Sequence, residues 1–236
     1  MILSSIVLFA ALTSSDAIMT LLNSRSATTP ARYEESLELV TREADAGKPL
    51  QQFLLGVTIK DASAARKYLD ASRDRIKRLA AEKNNPLAWY LLSLETHDTK
   101  FLKIAADGGN VQALNAYGSF LIKDAFDRNL SSNKLEEALS EGYSCFKRAV
   151  KNRDPNALIN LGTCYLRGFG CEINHMLAHE CFRSAAQAGH PDAMDYLSAN
   201  YELGHGVEKN HELSLFWRMK ARAMRGDKAA EEWLKK

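Results

Sequence analysis

His175 and His179 have the residue types and the spacing that come closest to a metal-binding pattern. They are four residues apart, so a helix would place both imidazoles on one face, and Cys171, Glu180 and Cys181 lie near them in the sequence. The glutamate follows the second histidine, whereas the helical zinc-hydrolase motif places it directly after the first. A structural zinc site would also need four ligands to converge across a turn. We therefore interpret this segment as a solvated helix face and keep a metal-binding or enzymatic protein as the alternative.

Two Gly-x-Gly segments, 168–170 and 204–206, invite comparison with phosphate-binding turns. A dinucleotide-binding fingerprint follows a strand and opens directly into a helix. Both segments here lie between two predicted helices, and they occupy equivalent positions in two similar stretches of sequence. We interpret them as tight reversals between helices, which glycine permits without strain, and we predict no cofactor.

The four cysteines do not form a pattern that is typical of catalysis. Cys145 and Cys181 each precede a phenylalanine at equivalent positions, which favours a packing role because a buried thiol behaves as a small apolar group. A catalytic cysteine needs a base and a group that orients it, and no such set accompanies Cys164 or Cys171. The sequence therefore predicts no catalytic residue, no metal site and no enzyme, and it leaves the disulfide state of the four thiols open.

The composition is that of a folded protein with no bias toward nucleic acid. Hydrophobic residues make up 46% and charged residues 25% of the 236 residues, which are ordinary values for a globular chain. The formal net charge is +2, and this supplies no electrostatic case for binding nucleic acid.

Prolines and glycines mark the starts and ends of the helices that must position the histidines, cysteines and Gly-x-Gly segments. Proline suits the first helical turn, where its missing N–H costs no hydrogen bond, and the capping residues Asn85 and Asp154 precede two of the prolines. Prolines are predicted to open helices at these positions: Pro30, Pro49, Pro86, Pro155 and Pro191. Glycines are predicted to end the helices that precede new starts: Gly47, Gly109, Gly189 and Gly226.

The spacing of these helix starts predicts a repeat. Positions two residues after a proline or four residues after a glycine give anchors at 51, 88, 113, 157, 193 and 230. Three of the five spacings between these anchors are close to 36 residues, which fits a unit of two helices. We predict an all-α solenoid of stacked helix-turn-helix units as a single domain over 30–236. Its units are placed at 51–87, 88–112, 113–156, 157–192 and 193–229, with a C-terminal cap at 230–236.

The last two units carry the clearest copies of the repeat. Equivalent residues match without a gap at Ala157/Ala193, Leu161/Leu197, Tyr165/Tyr201, Gly168/Gly204, Gly170/Gly206 and Asn174/Asn210. An aromatic residue, an alanine pair or Lys-Ala, and a glycine then follow, at Phe182, Ala185-Ala186 and Gly189 and at Trp217, Lys220-Ala221 and Gly226. This pattern resembles that of Sel1-like repeats, which are relatives of the tetratricopeptide repeats. Ser198 stands where the pattern has a glycine, and Cys171 where it has a valine.

The resemblance implies a non-catalytic scaffold or adaptor that binds a protein or peptide along its concave surface. The first helix of each unit is expected to form that surface, and its exposed candidates for partner binding are Trp89, Asn160, Arg167, Asn200 and Glu202. We expect a monomer that binds protein and no nucleic acid. Two alternatives stay open: a metal-binding or enzymatic protein that uses the region of His175 and His179, and a structural subunit that self-associates.

The N-terminal residues allow two interpretations. Residues 1–12 form an apolar stretch that is too short to span a bilayer, and no other stretch is predicted to be transmembrane. Residues 1–24 are either a signal peptide, with small residues at 15–17 as a cleavage site, or a helix that caps the end of the solenoid. The first basic residue is Arg25, so the charged start of a signal peptide is missing. The compartment therefore stays open between export and the cytoplasm.

Overall fold

The computed structural model describes residues 30–58, 62–152 and 154–235, in which the regular structure is helical throughout. Twelve α-helices and one short 3₁₀-helix (Val150–Asn152) follow one another in these ranges. The α-helices are α1 (Pro30–Asp45), α2 (Pro49–Thr58), α3 (Ala62–Lys83), α4 (Pro86–Thr96), α5 (Thr99–Asp107), α6 (Val111–Asp127), α7 (Ser132–Ala149), α8 (Pro155–Arg167), α9 (His175–Gln187), α10 (Pro191–Leu203), α11 (His211–Met224) and α12 (Lys228–Trp233). The signal peptide or capping helix predicted at 1–24 lies outside the described residues.

The helix starts predicted from proline are confirmed, because α1, α2, α4, α8 and α10 each begin at a proline. The predicted caps work as expected at two of them. The side chain of Asn85 accepts a hydrogen bond from the N–H of Ala88 at 3.1 Å. That of Asp154 accepts one from Ala157 at 2.9 Å. Each cap satisfies an N–H group that has no partner within its own helix.

Contacts between helices divide the chain into two compact units, the first of which ends at Ala113. In this unit α1 to α5 pack in sequence, each helix on the next. Their shared core is apolar and contains Val40, Phe53, Leu54, Leu55, Ile76 and Leu91. Burial of these side chains supplies the main stabilising free energy of such a helical stack.

The second unit begins at Leu114, within α6. In it α8 pairs with α9 and α10 pairs with α11, and α9 also packs on α10. One apolar cluster is formed around Phe182, Met194 and Leu197, and another around Phe146 and Leu161. No helix in the described part of the chain is both long and apolar enough to cross a membrane. That 30–236 forms one continuous array stays a prediction.

The Gly-x-Gly turns do more than reverse the chain, because their second glycine lies against the backbone of the helix before the hairpin. A Cβ atom on Gly206 would overlap the carbonyl oxygen of His175, and one on Gly170 would overlap that of Leu139. Leu139 and His175 are equivalent residues of α7 and α9, so both hairpins use the same contact. The sequence predicted the reversal but not this close approach, which involves residues of another hairpin.

Polar side chains also join neighbouring hairpins at the starts of α8 and α10. The amide of Asn115 donates to the Asp154 carboxylate at 3.0 Å. Asn156 Oδ1 lies 3.1 Å from Nε2 of His190, the residue before α10. Asp154 and His190 are both buried. In each case a side chain from the first helix of one hairpin therefore binds the residue just before the first helix of the next hairpin.

Candidate functional site

A groove lies between α6 and α8, the first helices of two successive hairpins. A cavity of about 210 Å³ in it is lined by Ser119, Ile122 and Lys123 of α6, Phe146 of α7, Asn160, Thr163 and Cys164 of α8, and Phe169 of the following turn. On each wall the residues are three or four positions apart, so each wall is one face of a helix. We call this cavity and its rim the α6–α8 groove.

The α6–α8 groove has an apolar floor and a polar rim. Ile122, Phe146 and Phe169 supply the apolar floor together with Cys164. On the rim, the Thr163 hydroxyl donates to the carbonyl of Ile159 at 2.9 Å. The half-buried amide of Asn160 has no hydrogen-bond partner among the residues that the structure describes. An amide in this position can both donate to and accept from a bound polypeptide backbone.

Two positions extend the groove beyond its cavity. Phe126 follows Lys123 on the same face of α6, is 49% exposed, and places its ring 5.4 Å from that of Phe169. Arg167 continues the α8 face that holds Asn160 and is exposed. Within 30–58, 62–152 and 154–235, no acidic side chain pairs with Arg167. The groove therefore ends in an exposed ring on one wall and an exposed cation on the other.

The structure brings together two of the five residues predicted to bind a partner, Asn160 and Arg167, which lie on one face of α8. Trp89 is in the first unit, half-buried, with its ring 5.3 Å from that of Phe101. Its indole N–H is buried without a partner among the described residues. Trp89 is thus packed against the core of its own unit.

The expected exposure of Asn200 is wrong. Asn200 is only 2% exposed, and its side-chain nitrogen lies 3.5 Å from Nδ1 of the buried His179. It faces α9, the helix that packs on α10, rather than solvent. Glu202 is accessible but lies 3.2 Å from His211 Nδ1, and hydrogen bonds from His211 and Ser214 hold the pKa of its carboxyl below the usual range. Both residues therefore make contacts within the last hairpins.

The two histidines that suggested a metal do not converge. The ring of His175 stacks on that of His205 with 4.6 Å between centroids, whereas His179 is buried and meets the edge of the Tyr201 ring at 5.4 Å. No group of three or more histidine, cysteine or acidic residues in the described ranges is placed to hold a metal ion. The arrangement gives no support to the metal-binding alternative.

Two buried histidines link stability to pH. Burial lowers the pKa of His179 and of His190 below the ordinary value of 6.5, because the folded protein solvates an imidazolium poorly. For His190, Nε2 lies against Asn156, and Nδ1 is buried with no partner among the described residues. A second proton on this ring would therefore have no acceptor.

We expect the free energy of unfolding to fall as the pH drops from about 7.5 to about 5. In the unfolded chain both imidazoles take up protons near their ordinary pKa, whereas in the folded chain they stay neutral to a lower pH. Protons therefore favour the unfolded state throughout this interval. Urea unfolding at a series of pH values measures the slope, and His190→Gln should make it shallower. An identical slope in that variant would show that His190 does not contribute.

The four cysteines are free thiols of unequal accessibility. Cys145 and Cys164 are buried, and Cys171 and Cys181 are half-buried. Burial raises the pKa of Cys164 to about 12 and that of Cys181 to about 11. Because the thiolate is the reactive form, these environments make poor nucleophiles.

We expect a thiol reagent at about pH 8 to label Cys171 first and Cys164 last, at rates that differ at least about tenfold. Peptide mass spectrometry after timed labelling measures the order. The same labelling in guanidinium is the control, because unfolding should bring the four rates together. Equally fast labelling of Cys164 in the folded chain would contradict its burial.

Sequence reasoning missed most of the α6–α8 groove. Ser119, Ile122, Lys123 and Phe126 follow helical spacing on α6, which could have marked one face of that helix. They lie in the unit placed at 113–156, where the repeat pattern is weak. The spacing alone did not show that this face borders α8.

The helical hairpins, their Gly-x-Gly turns and their equivalent packing contacts define an all-α repeat protein with an α-solenoid fold. Residues 155–190 and 191–217 match the family model of the Sel1 repeat, so the chain carries two Sel1 repeats. The resemblance and the fold class inferred from the sequence are thereby confirmed.

The solved structures that are similar to this chain include two repeat proteins. A Sel1 repeat protein from Oxalobacter formigenes is 24% identical, with 54% of this chain and 92% of that chain covered and a TM-score of 0.48. A protective antigen present in uropathogenic Escherichia coli strains, which displays an SLR fold, is 22% identical over 85% of this chain, with a TM-score of 0.55. The match spans 45% of the antigen's length, and its likeness shows the fold alone. No curated protein matches the chain.

Proposed function

We propose that this protein is a scaffold that holds an extended segment of a protein partner in the α6–α8 groove. Sel1 repeat proteins are generally non-catalytic protein-interaction scaffolds. The observation that carries the proposal for this chain is the pairing of an apolar cavity with the unpartnered amide of Asn160 on its rim. Such a combination offers burial for a side chain and hydrogen bonds for the backbone beside it.

The groove's own chemistry favours binding over catalysis. Its only thiol belongs to Cys164, which is buried and has a raised pKa. The hydroxyl of Thr163 already donates to a carbonyl of its own helix. A nucleophile would need a neighbouring base, and neither histidine nor carboxylate lines the cavity. The residues present can bury, orient and hydrogen-bond a partner.

A matched pair of variants tests whether partners use this groove. Ser119→Trp places a bulky ring on the groove rim, whereas Ser144→Trp places the same ring on α7, away from the cavity. Both serines are exposed, so both variants should fold, which circular dichroism checks. Wild-type and variant proteins then serve as bait in extracts of the native host, with quantitative mass spectrometry of the bound proteins.

We expect the wild type and Ser144→Trp to retain the same protein partners and Ser119→Trp to retain at least about tenfold less of them, which corresponds to about 1.4 kcal/mol of binding free energy. Equal recovery by both tryptophan variants would reject the groove as the contact surface. Recovery of no protein by the wild type would count against the scaffold itself.

A further inference from the structure

We infer that the partner segment held in the α6–α8 groove presents a bulky aromatic side chain with an acidic residue beside it. This inference rests on the proposed function and names the chemistry of the peptide that would fill the groove. It follows from the size and lining of the cavity and from the charges on its two walls.

The cavity fits a single ring better than a whole small molecule. Its volume is about 210 Å³, below the roughly 300–1,000 Å³ that is usual for small-molecule pockets. Phe146 and Phe169 line it, and the half-exposed Phe126 lies next to Phe169. Aromatic rings favour offset or edge-to-face contacts with one another. An inserted ring would meet such partners here and would cover the exposed face of Phe126.

The charges around the cavity favour an acidic neighbour for that ring. Lys123 lines one wall, and Arg167 continues the other. The nearby carboxylates are already engaged, because Asp127 pairs with Lys123 at 2.9 Å and Asp124 pairs with Arg128 at 2.8 Å. Arg167 pairs with no carboxylate of the described residues. Its guanidinium is exposed, and its planar pair of N–H donors matches a carboxylate.

The amide of Asn160 lies between these two features. On α8, Asn160 borders the cavity and Arg167 is two helical turns further along the same face. A peptide that buries its ring beside Asn160 can therefore offer its backbone to the amide and a neighbouring carboxylate to Arg167. A neutral or basic neighbour would leave Arg167 without an ion partner.

Selection from a random peptide library tests the inference on the full chain. A phage-displayed 12-residue library is selected on wild type and, in parallel, on Ser119→Trp, whose groove is obstructed. We expect sequences selected only by wild type to be enriched in Trp, Phe or Tyr with Asp or Glu beside the ring. For a synthetic peptide of that kind, Arg167→Glu should weaken binding at least about tenfold, whereas Arg183→Glu on α9 should leave it unchanged.

The outcomes separate the inference from the proposed function. Groove-dependent peptides that lack an aromatic residue, or that carry no acidic neighbour, would overturn the inference and leave the groove as a binding site. Equal selection by wild type and Ser119→Trp would overturn the proposed function as well. A second copy of the chain as the occupant would appear in light scattering as a dimer that Ser119→Trp abolishes, and this would also overturn the inference.

Discussion

Replacing Gly206 with alanine is expected to lower the free energy of unfolding by about 3–5 kcal/mol. Gly206 has a φ of +74°, which L side chains rarely adopt, and an added Cβ would overlap the carbonyl oxygen of His175 on α9. The atom in the way belongs to a helical backbone, so it cannot rotate aside as a flexible side chain would. Urea unfolding followed by helical circular dichroism measures the loss.

Gly226→Ala provides the matched control for this substitution. Gly226 has a similarly positive φ of +89°, yet an added Cβ would have no atom within 4 Å. Its replacement should cost only the backbone strain, about 1 kcal/mol. If the two variants lost the same free energy, the close approach of the turn to α9 would not contribute to stability.

Truncating Phe182 to alanine should cost about 3–5 kcal/mol of unfolding free energy. The ring is 0% exposed, lies under Gly162 of α8, and stacks on Tyr196 of α10 with 4.3 Å between centroids. It therefore joins two hairpins, and its loss leaves a cavity at their junction. Thermal and urea unfolding of the full chain measure the effect.

Phe216→Ala on α11 is the control for Phe182→Ala. Phe216 is 37% exposed, so its removal should change the free energy of unfolding by less than about 1 kcal/mol. A comparable loss from the two substitutions would mean that the apolar cluster around Phe182 is not what couples the hairpins.

The sequence was sufficient to predict local features whose cause is local. Proline at a helix start, an Asn or Asp cap, and glycine at a helix end each depend on the backbone of a few neighbouring residues. The helix start at Asp154 and Pro155 and the turn at 168–170 are therefore recognisable from residue types and spacing alone. The 36-residue match between the last two hairpins then indicates the family.

Contacts between hairpins could not be predicted in the same way. Asn160 and Asn200 both lie on first helices, yet one borders the α6–α8 groove and the other is buried against His179. Helical periodicity gives the angle between side chains but not the direction in which a neighbouring helix lies. For the same reason, the spacing of residues on the face of α6 that contains Ile122 did not indicate that this face lies next to α8.

The equivalent backbone contacts of Gly170 with α7 and of Gly206 with α9 have a consequence for how this protein can evolve. The hairpin of residues 155–190 makes this contact with the hairpin before it through Gly170, and it offers the equivalent contact at His175 to the hairpin after it. A duplicated copy of 155–190, inserted after the original, would thus find a compatible neighbour on either side. Gene duplication could lengthen the array while leaving the α6–α8 groove unchanged.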